Sequence, residues 1–182
     1  MEAATARATE EAYSGFLGAY RYAYRAADSR VLRWYVVASG LVGAAIAFLL
    51  VLAVVVWFTR TLGQSALVTT ANAFLGVVAI FVLGPLVAPV LLVARRHRLG
   101  APANPRYDRW LGVLGFAYLT SLYVGLVVSV PPEFQTQTSN PVVLFLYGLP
   151  ALLGVVPPLV VAVLVWVAHR TLGGRTRNRE GP

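Results

Sequence analysis

Residues 35–58 read YVVASGLVGAAIAFLLVLAVVVWF, twenty-four positions without an Asp, Glu, Lys, Arg or His. A helix rises about 1.5 Å per residue and the hydrocarbon core of a bilayer is about 30 Å thick, so roughly 20 apolar residues cross it. The stretch is long enough to cross. It must do so as a helix, because an unpaired backbone N–H or C=O in hydrocarbon costs several kcal/mol.

Three further runs of the same kind follow, at about 73–94, 110–130 and 142–168, and none contains an ionisable residue. Segments of about ten residues alternating between apolar and polar, the mark of a membrane β-barrel, are absent. The expected fold is therefore all-α: a polytopic membrane protein with four transmembrane helices. Its organisation is a segment 1–34, a four-helix domain 35–168 and a basic tail 169–182. The first run starts too far in, and lacks the small-residue cleavage pattern, to be a removable signal peptide.

Composition agrees. The chain is 58% hydrophobic and 12% charged, against about 45–50% and about 25% in soluble domains. All 15 basic residues are arginine, and cysteine is absent, which excludes disulfides and thiolate metal or catalytic sites. The net charge of +8 would suit nucleic acid, but its distribution follows the membrane. Arg7, Arg21, Arg25, Arg30 and Arg33 precede the first run. Arg95, Arg96, Arg98, Arg106 and Arg109 lie between the second and third, and Arg170, Arg175, Arg177 and Arg179 follow the fourth. The other two loops hold Arg60 alone. Arginine bias of this kind puts both termini and the middle loop in the cytoplasm of a cell-membrane protein. Trp34, Trp57, Trp110 and Trp166 fall at run ends, where indole rings prefer the interface.

Ahead of the first run, Tyr13, Phe16, Leu17, Tyr20, Tyr24 and Ala27 recur at helical spacing. Glu10 and Glu11 open this helix, and Arg21 and Arg25 share another face. This predicts an amphipathic interfacial helix, lying either on the membrane surface or on the cytoplasmic end of the bundle. Asp28 and Ser29 break the pattern and offer an N-cap. The middle loop contains Ala-Pro-Ala-Asn-Pro at 101–105, which argues against helix there. No acceptable glycosylation sequon occurs in the outer loops.

Residues able to carry chemistry are few. His97 and His169 stand at the ends of the second and fourth runs; with no carboxylate or thiolate beside them in the sequence, no metal or cofactor site is expected. Asp108 and Glu133 fall on opposite sides of the bilayer and cannot cooperate, so no catalytic residues are expected. Arg21, Arg25, Arg95, Arg96, Arg98, Arg106 and Arg109 are candidate contacts for anionic lipid headgroups, each contributing on the order of 1 kcal/mol near a charged surface. Pro85 and Pro89 in the second run, and Pro150, Pro157 and Pro158 in the fourth, remove backbone donors and predict helix kinks. The fourth run is long enough to tilt, to kink near Gly148–Pro150 or to begin above the bilayer.

Small residues recur every four positions: Ser39, Gly43 and Ala47; Gly84 and Ala88; Ala117, Ser121, Gly125 and Ser129. Such stripes let helices approach closely, within the chain or across a homo-oligomer. Thr120, Ser121 and Tyr147 offer hydroxyls for bonds between helices. A weak echo also joins Pro85-Leu86-Val87 with Pro158-Leu159-Val160, which would make two parallel hairpins.

The chain resembles a group of uncharacterised small four-span membrane proteins of haloarchaea. The resemblance rests on Tyr13-Ser14-Gly15-Phe16-Leu17-Gly18, on 88–96 (APVLLVARR), on Ser129-Val130-Pro131-Pro132-Glu133, and on Leu146-Tyr147-Gly148-Leu149-Pro150 with Val156-Pro157-Pro158. It implies the same four-span fold and supplies no catalytic residue.

Three functions fit these observations. The leading one is a non-enzymatic accessory or membrane-organising component, because ionisable residues inside spans, the usual mark of ion-coupled transport, are missing. The second is a small transporter or channel subunit built on proline-kinked second and fourth helices. The third is an enzyme acting on lipid. The expected partners are membrane lipids and either a second copy or another membrane protein, with no nucleic acid.

Overall fold

A computed structural model describes residues 15–61, 66–99 and 104–173, with side chains throughout except at 16, 57–61 and 66–78. Expectations for Arg7, Glu10, Glu11, Tyr13 and the arginines beyond 173 lie outside the described residues, and those for Phe16, Trp57 and Arg60 outside the described side chains. Among the described residues six α-helices follow one another: α1 Gly15–Ala26, α2 Arg30–Thr61, α3 Ala66–Arg98, α4 Pro105–Val128, α5 Pro141–Tyr147 and α6 Val156–Gly173. Short 3-10 turns occupy Pro132–Phe134 and Ala151–Val155. Among the described residues there is no strand. Four segments are long and apolar enough to cross a membrane: Arg30–Val56, Ala79–Arg98, Pro105–Val128 and Ala151–Gly173.

Local chemistry sets the helix ends. Asn104 caps α4 by accepting a hydrogen bond from the Tyr107 N–H (3.1 Å), and Pro105 fills the first position, where no N–H is needed. Asn140 and Pro141 repeat the device at α5. Two expectations change as a result. The middle connection is shorter than its prolines suggested, because Pro105 starts a helix; Arg106 and Arg109 belong to the first turns of α4 and Arg95, Arg96 and Arg98 to the last turn of α3. The fourth apolar run is two elements, with α5 ending at Tyr147 and the crossing segment starting at Ala151. Gly148-Leu149-Pro150 forms the break. Pro157 and Pro158 sit in the first turn of α6, so they start a helix where a kink was expected. Pro85 and Pro89 lie inside α3, which runs through both.

The helices pack mainly at the arginine-bearing end. Ala23, Ala27, Leu32, Tyr35, Val36, Val90, Val93, Ala94, Tyr107 and Leu111 form one buried cluster there. Beyond it α2 is almost bare, with Phe48, Leu49, Val51 and Val55 all exposed. Lipid tails are as apolar as leucine, so burial alone does not draw these helices together; close backbone approach and hydrogen bonds do. α4 supplies both, contacting α2, α3 and α6. A methyl group at Gly112 would meet the Leu32 backbone nitrogen at 2.9 Å, one at Gly115 would enter the Tyr35 ring, and one at Gly125 would enter the Gly154 carbonyl. Of the predicted stripes, Ser39, Ser121 and Gly125 are therefore in packed seams, while Gly43 and Gly84 face open space.

α1 packs on α2 and α3 through Ala19, Ala23 and Ala27, with the Tyr20 ring beside Gly40. Of the two placements open to it, the helix takes the bundle. Its outward face carries Leu17, Tyr24, Arg21 and Arg25, an apolar pair beside a basic pair.

Candidate functional site

Where the helix ends meet, the two histidines find partners that the linear sequence hides. Asp28, in the three-residue turn between α1 and α2, uses its backbone N–H to donate to Asp108 Oδ2 (3.1 Å). His97, in the last turn of α3, places Nε2 at 3.3 Å from the same oxygen. Asp108, in the first turn of α4, is 1% exposed, whereas Asp28 is open to solvent and His97 is partly covered. One ligand atom from each of Asp28, His97 and Asp108 lies within 4.8 Å of the others. The reading that His97 lacks a carboxylate is thereby corrected: it has Asp108, eleven residues on, with Asp28, which precedes the first span in sequence, close by.

His169 has a different neighbour. Tyr107, buried one position before Asp108, shares a 2.7 Å hydrogen bond between its hydroxyl and His169 Nδ1. The Arg96 guanidinium stacks 4.6 Å from the Tyr107 ring centroid, a geometry that attracts a cation to the ring quadrupole. Its two terminal nitrogens are buried and have no hydrogen-bond partner among the described residues. Arg95, Arg96 and Arg170 all bring positive charge towards His169. The histidines thus form two sites joined by consecutive residues of α4: one with carboxylates, one with a phenol among arginines.

The start of α2 and α4 frames a groove of about 400 Å³ lined by Asp28, Ser29, Arg30, Arg106 and Arg109. A smaller groove of about 170 Å³ lies between Tyr24, Arg30, Arg33, Trp34 and Val37. Arg33 also ties down the turn, its Nε donating to the Ala27 carbonyl at 3.1 Å. Trp34, Trp110 and Trp166 are outward and exposed, close in sequence to Arg33, Arg109 and Arg170; the Arg170 guanidinium covers the Trp166 ring at 4.2 Å. On α1, packing pushes the pKa of the Tyr20 phenol up through desolvation, against a hydrogen bond to Ser39 that lowers it.

Inside the bundle the hydroxyls go to backbone carbonyls. Tyr35 donates to Leu86 and Tyr118 to Val82 (3.1 Å), both across to α3. Thr120 and Ser121, expected to bridge helices, instead bond to Phe116 and Tyr118 of their own helix. Tyr147 meets Thr136 of the α4–α5 connection at 3.4 Å. Glu133 lies exposed in the turn after α4, at the opposite end of that helix from Asp108.

The arrangement gathers arginines around one histidine and carboxylates around the other, with the Tyr107 hydroxyl and His169 in hydrogen-bond contact. Fold and site together define a polytopic helical membrane protein with a polar cluster at one end of its bundle. No curated protein and no solved structure matches the chain. It belongs to the family described as a domain of unknown function, DUF8056, which matches residues 3–173.

Proposed function

We propose that this protein is a non-enzymatic, multi-pass component of the cell membrane that organises anionic lipids and neighbouring membrane proteins, with both termini in the cytoplasm. The observation that carries this reading is the fate of polar groups within the spans. The apolar runs hold no ionisable residue, and the hydroxyls of Tyr35, Ser39, Tyr118, Thr120 and Ser121 all donate to backbone carbonyls. A solute path needs polar groups free to replace hydration, and these are committed to the fold.

Arginine placement supports this orientation: all but Arg60 precede the first run, follow the fourth, or lie between the second and third, the bias that marks cytoplasmic segments. At that end Tyr24, Arg30, Arg33, Trp34 and Val37 line one groove, a mix of basic and apolar side chains suited to the phosphate and acyl chain of a lipid. Arg21, Arg25, Arg95, Arg98, Arg106 and Arg109 extend the basic surface around it. The lysine-free, cysteine-free composition supports an archaeal source with a GC-rich genome.

The alternative, a small transporter or channel subunit, draws on Pro85 and Pro89 and on the break at Gly148–Pro150. One pair of measurements separates the two. Protein extracted in native nanodiscs is expected to retain more anionic lipid than the surrounding membrane, and to lose that enrichment when Arg95, Arg96, Arg98, Arg106 and Arg109 become Gln. Proteoliposomes are expected to pass no more ions or small solutes than empty vesicles. Flux that disappears in a Pro89→Ala variant would establish the transport reading instead.

A further inference from the structure

The geometry points to a binding site for one divalent transition-metal ion at Asp28, His97 and Asp108. Three elements supply the donors: the α1–α2 turn, the last turn of α3 and the first turn of α4. Their ligand atoms already lie within 4.8 Å of one another. The His97 Nε2 to Asp108 Oδ2 separation of 3.3 Å is long for an imidazolium–carboxylate bond, which closes to about 2.7–2.9 Å. It is close to the edge of a tetrahedron whose metal–nitrogen and metal–oxygen bonds are about 2.0–2.1 Å, which comes to roughly 3.3 Å. Two of the three donors therefore stand at co-ligand spacing. The third, Asp28, is exposed and can swing in by side-chain rotation.

Charge and access agree with this. Two carboxylates stand within 4.8 Å of a single imidazole, and like charges that close repel each other. A divalent ion relieves that repulsion. Asp28 also lines the groove of about 400 Å³, so water can fill the coordination position that the protein leaves open, as in exchangeable three-ligand sites. The Asp28 N–H bond to Asp108 Oδ2 orients the buried carboxylate, an outer contact of the sort that tunes metal sites. One imidazole and two carboxylates, with no thiolate, suit Zn²⁺ above Mn²⁺ and exclude a preference for Cu(I). Arg30, Arg106 and Arg109 on the same groove oppose a bare cation, which makes the bound ion exchangeable rather than locked in. An occupied site would clasp the α1 turn to α3 and α4.

The experiment uses the full chain in detergent, with any histidine tag removed, titrated calorimetrically with Zn²⁺ and spectroscopically with Co²⁺. One Zn²⁺ per chain and a visible Co²⁺ d–d band are expected. Asp28→Asn, at an exposed position that leaves the packing intact, and His97→Gln should each weaken Zn²⁺ binding about tenfold or more. His169→Gln should leave it unchanged. Absence of binding at millimolar Zn²⁺, or equal binding by the Asp28 and His97 variants, would overturn the assignment. The outcome is independent of lipid retention and of solute flux.

Discussion

The phenol of Tyr35 on α2 donates a hydrogen bond to the carbonyl of Leu86 on α3, between Pro85 and Pro89. A carbonyl has two lone pairs, so it can take this bond beside its helical one. The same ring lies against Gly115 of α4 and meets Phe116 edge-on, with centroids 5.5 Å apart. One side chain thus joins three membrane helices, through a polar tip and an apolar body.

The two contributions separate by mutation. Tyr35→Phe keeps the ring and loses the bond, and should cost about 0.6 kcal/mol, typical of hydrogen bonds between membrane helices. Gly115→Ala places a methyl group inside the ring's volume and should cost about 1–3 kcal/mol, the range for overpacking. Reversible unfolding in mixed micelles measures both; equal costs would mean that the ring is not confined.

The seam between α4 and the 3-10 turn ahead of α6 gives a sharper contrast. Gly125 faces the Gly154 carbonyl, and Gly154 faces Gly125 and the Ser129 hydroxyl, so neither position has room for a side chain. Gly43 and Gly84 have nothing within 4 Å of where a methyl group would go. Gly125→Ala and Gly154→Ala should lower thermal stability in detergent, whereas Gly43→Ala and Gly84→Ala should leave it level or raise it, since alanine favours helix by about 1 kcal/mol over glycine. A loss at Gly43 or Gly84 as large as at Gly125 would point to a second chain packed on those positions.

That contrast marks the limit of what the residues disclose in linear order. Four apolar runs without a charge are sufficient to require membrane helices, because lipid imposes that on any such run. A small-residue stripe, by contrast, reads the same whether a neighbour covers it or not: Gly43 and Gly125 differ only in what lies opposite. Pro157 was ambiguous in the same way, since proline bends a helix from within and begins one from its first turn. The Asp–His–Asp group was the least visible. Asp28 and Asp108 are 80 residues apart, and only the return of α3 to the end where α1 meets α2, with α4 starting there, makes them neighbours. The available signal was that Asp28, His97 and Asp108 all fall in segments assigned to one side of the bilayer, the condition that Asp108 and Glu133 fail.

Tyr107 tests the second half of the cluster. Its hydroxyl reaches His169 Nδ1 at 2.7 Å while its ring faces Arg96. Tyr107→Phe removes the bond and retains the stacking, and should cost about 1 kcal/mol. Tyr107→Leu removes both, adding about 0.5–2 kcal/mol for the lost cation–π contact. Thermal denaturation of the two variants should rank them in that order; a Phe variant as unstable as the Leu variant would assign the whole contribution to the hydroxyl.

Asp108 is where the turn after α1 is held to the bundle, and hydrogen exchange can read that attachment one amide at a time. The Asp28 N–H is bound to Asp108 Oδ2 at the exposed residue of its turn, between buried Ala27 and Ser29, so its protection should depend on that carboxyl group. Asp108→Asn retains an acceptor oxygen and should keep Asp28 protected. Asp108→Ala removes it, and a loss of about 1 kcal/mol of local stability should speed exchange about fivefold. Ala27 has its own bond, from its N–H to the Ala23 carbonyl at 2.9 Å, and should change far less. If both amides accelerate together, α1 detaches as a unit and Asp108 anchors the whole helix; if neither does, the turn is held by Arg33 on the Ala27 carbonyl and not by Asp108.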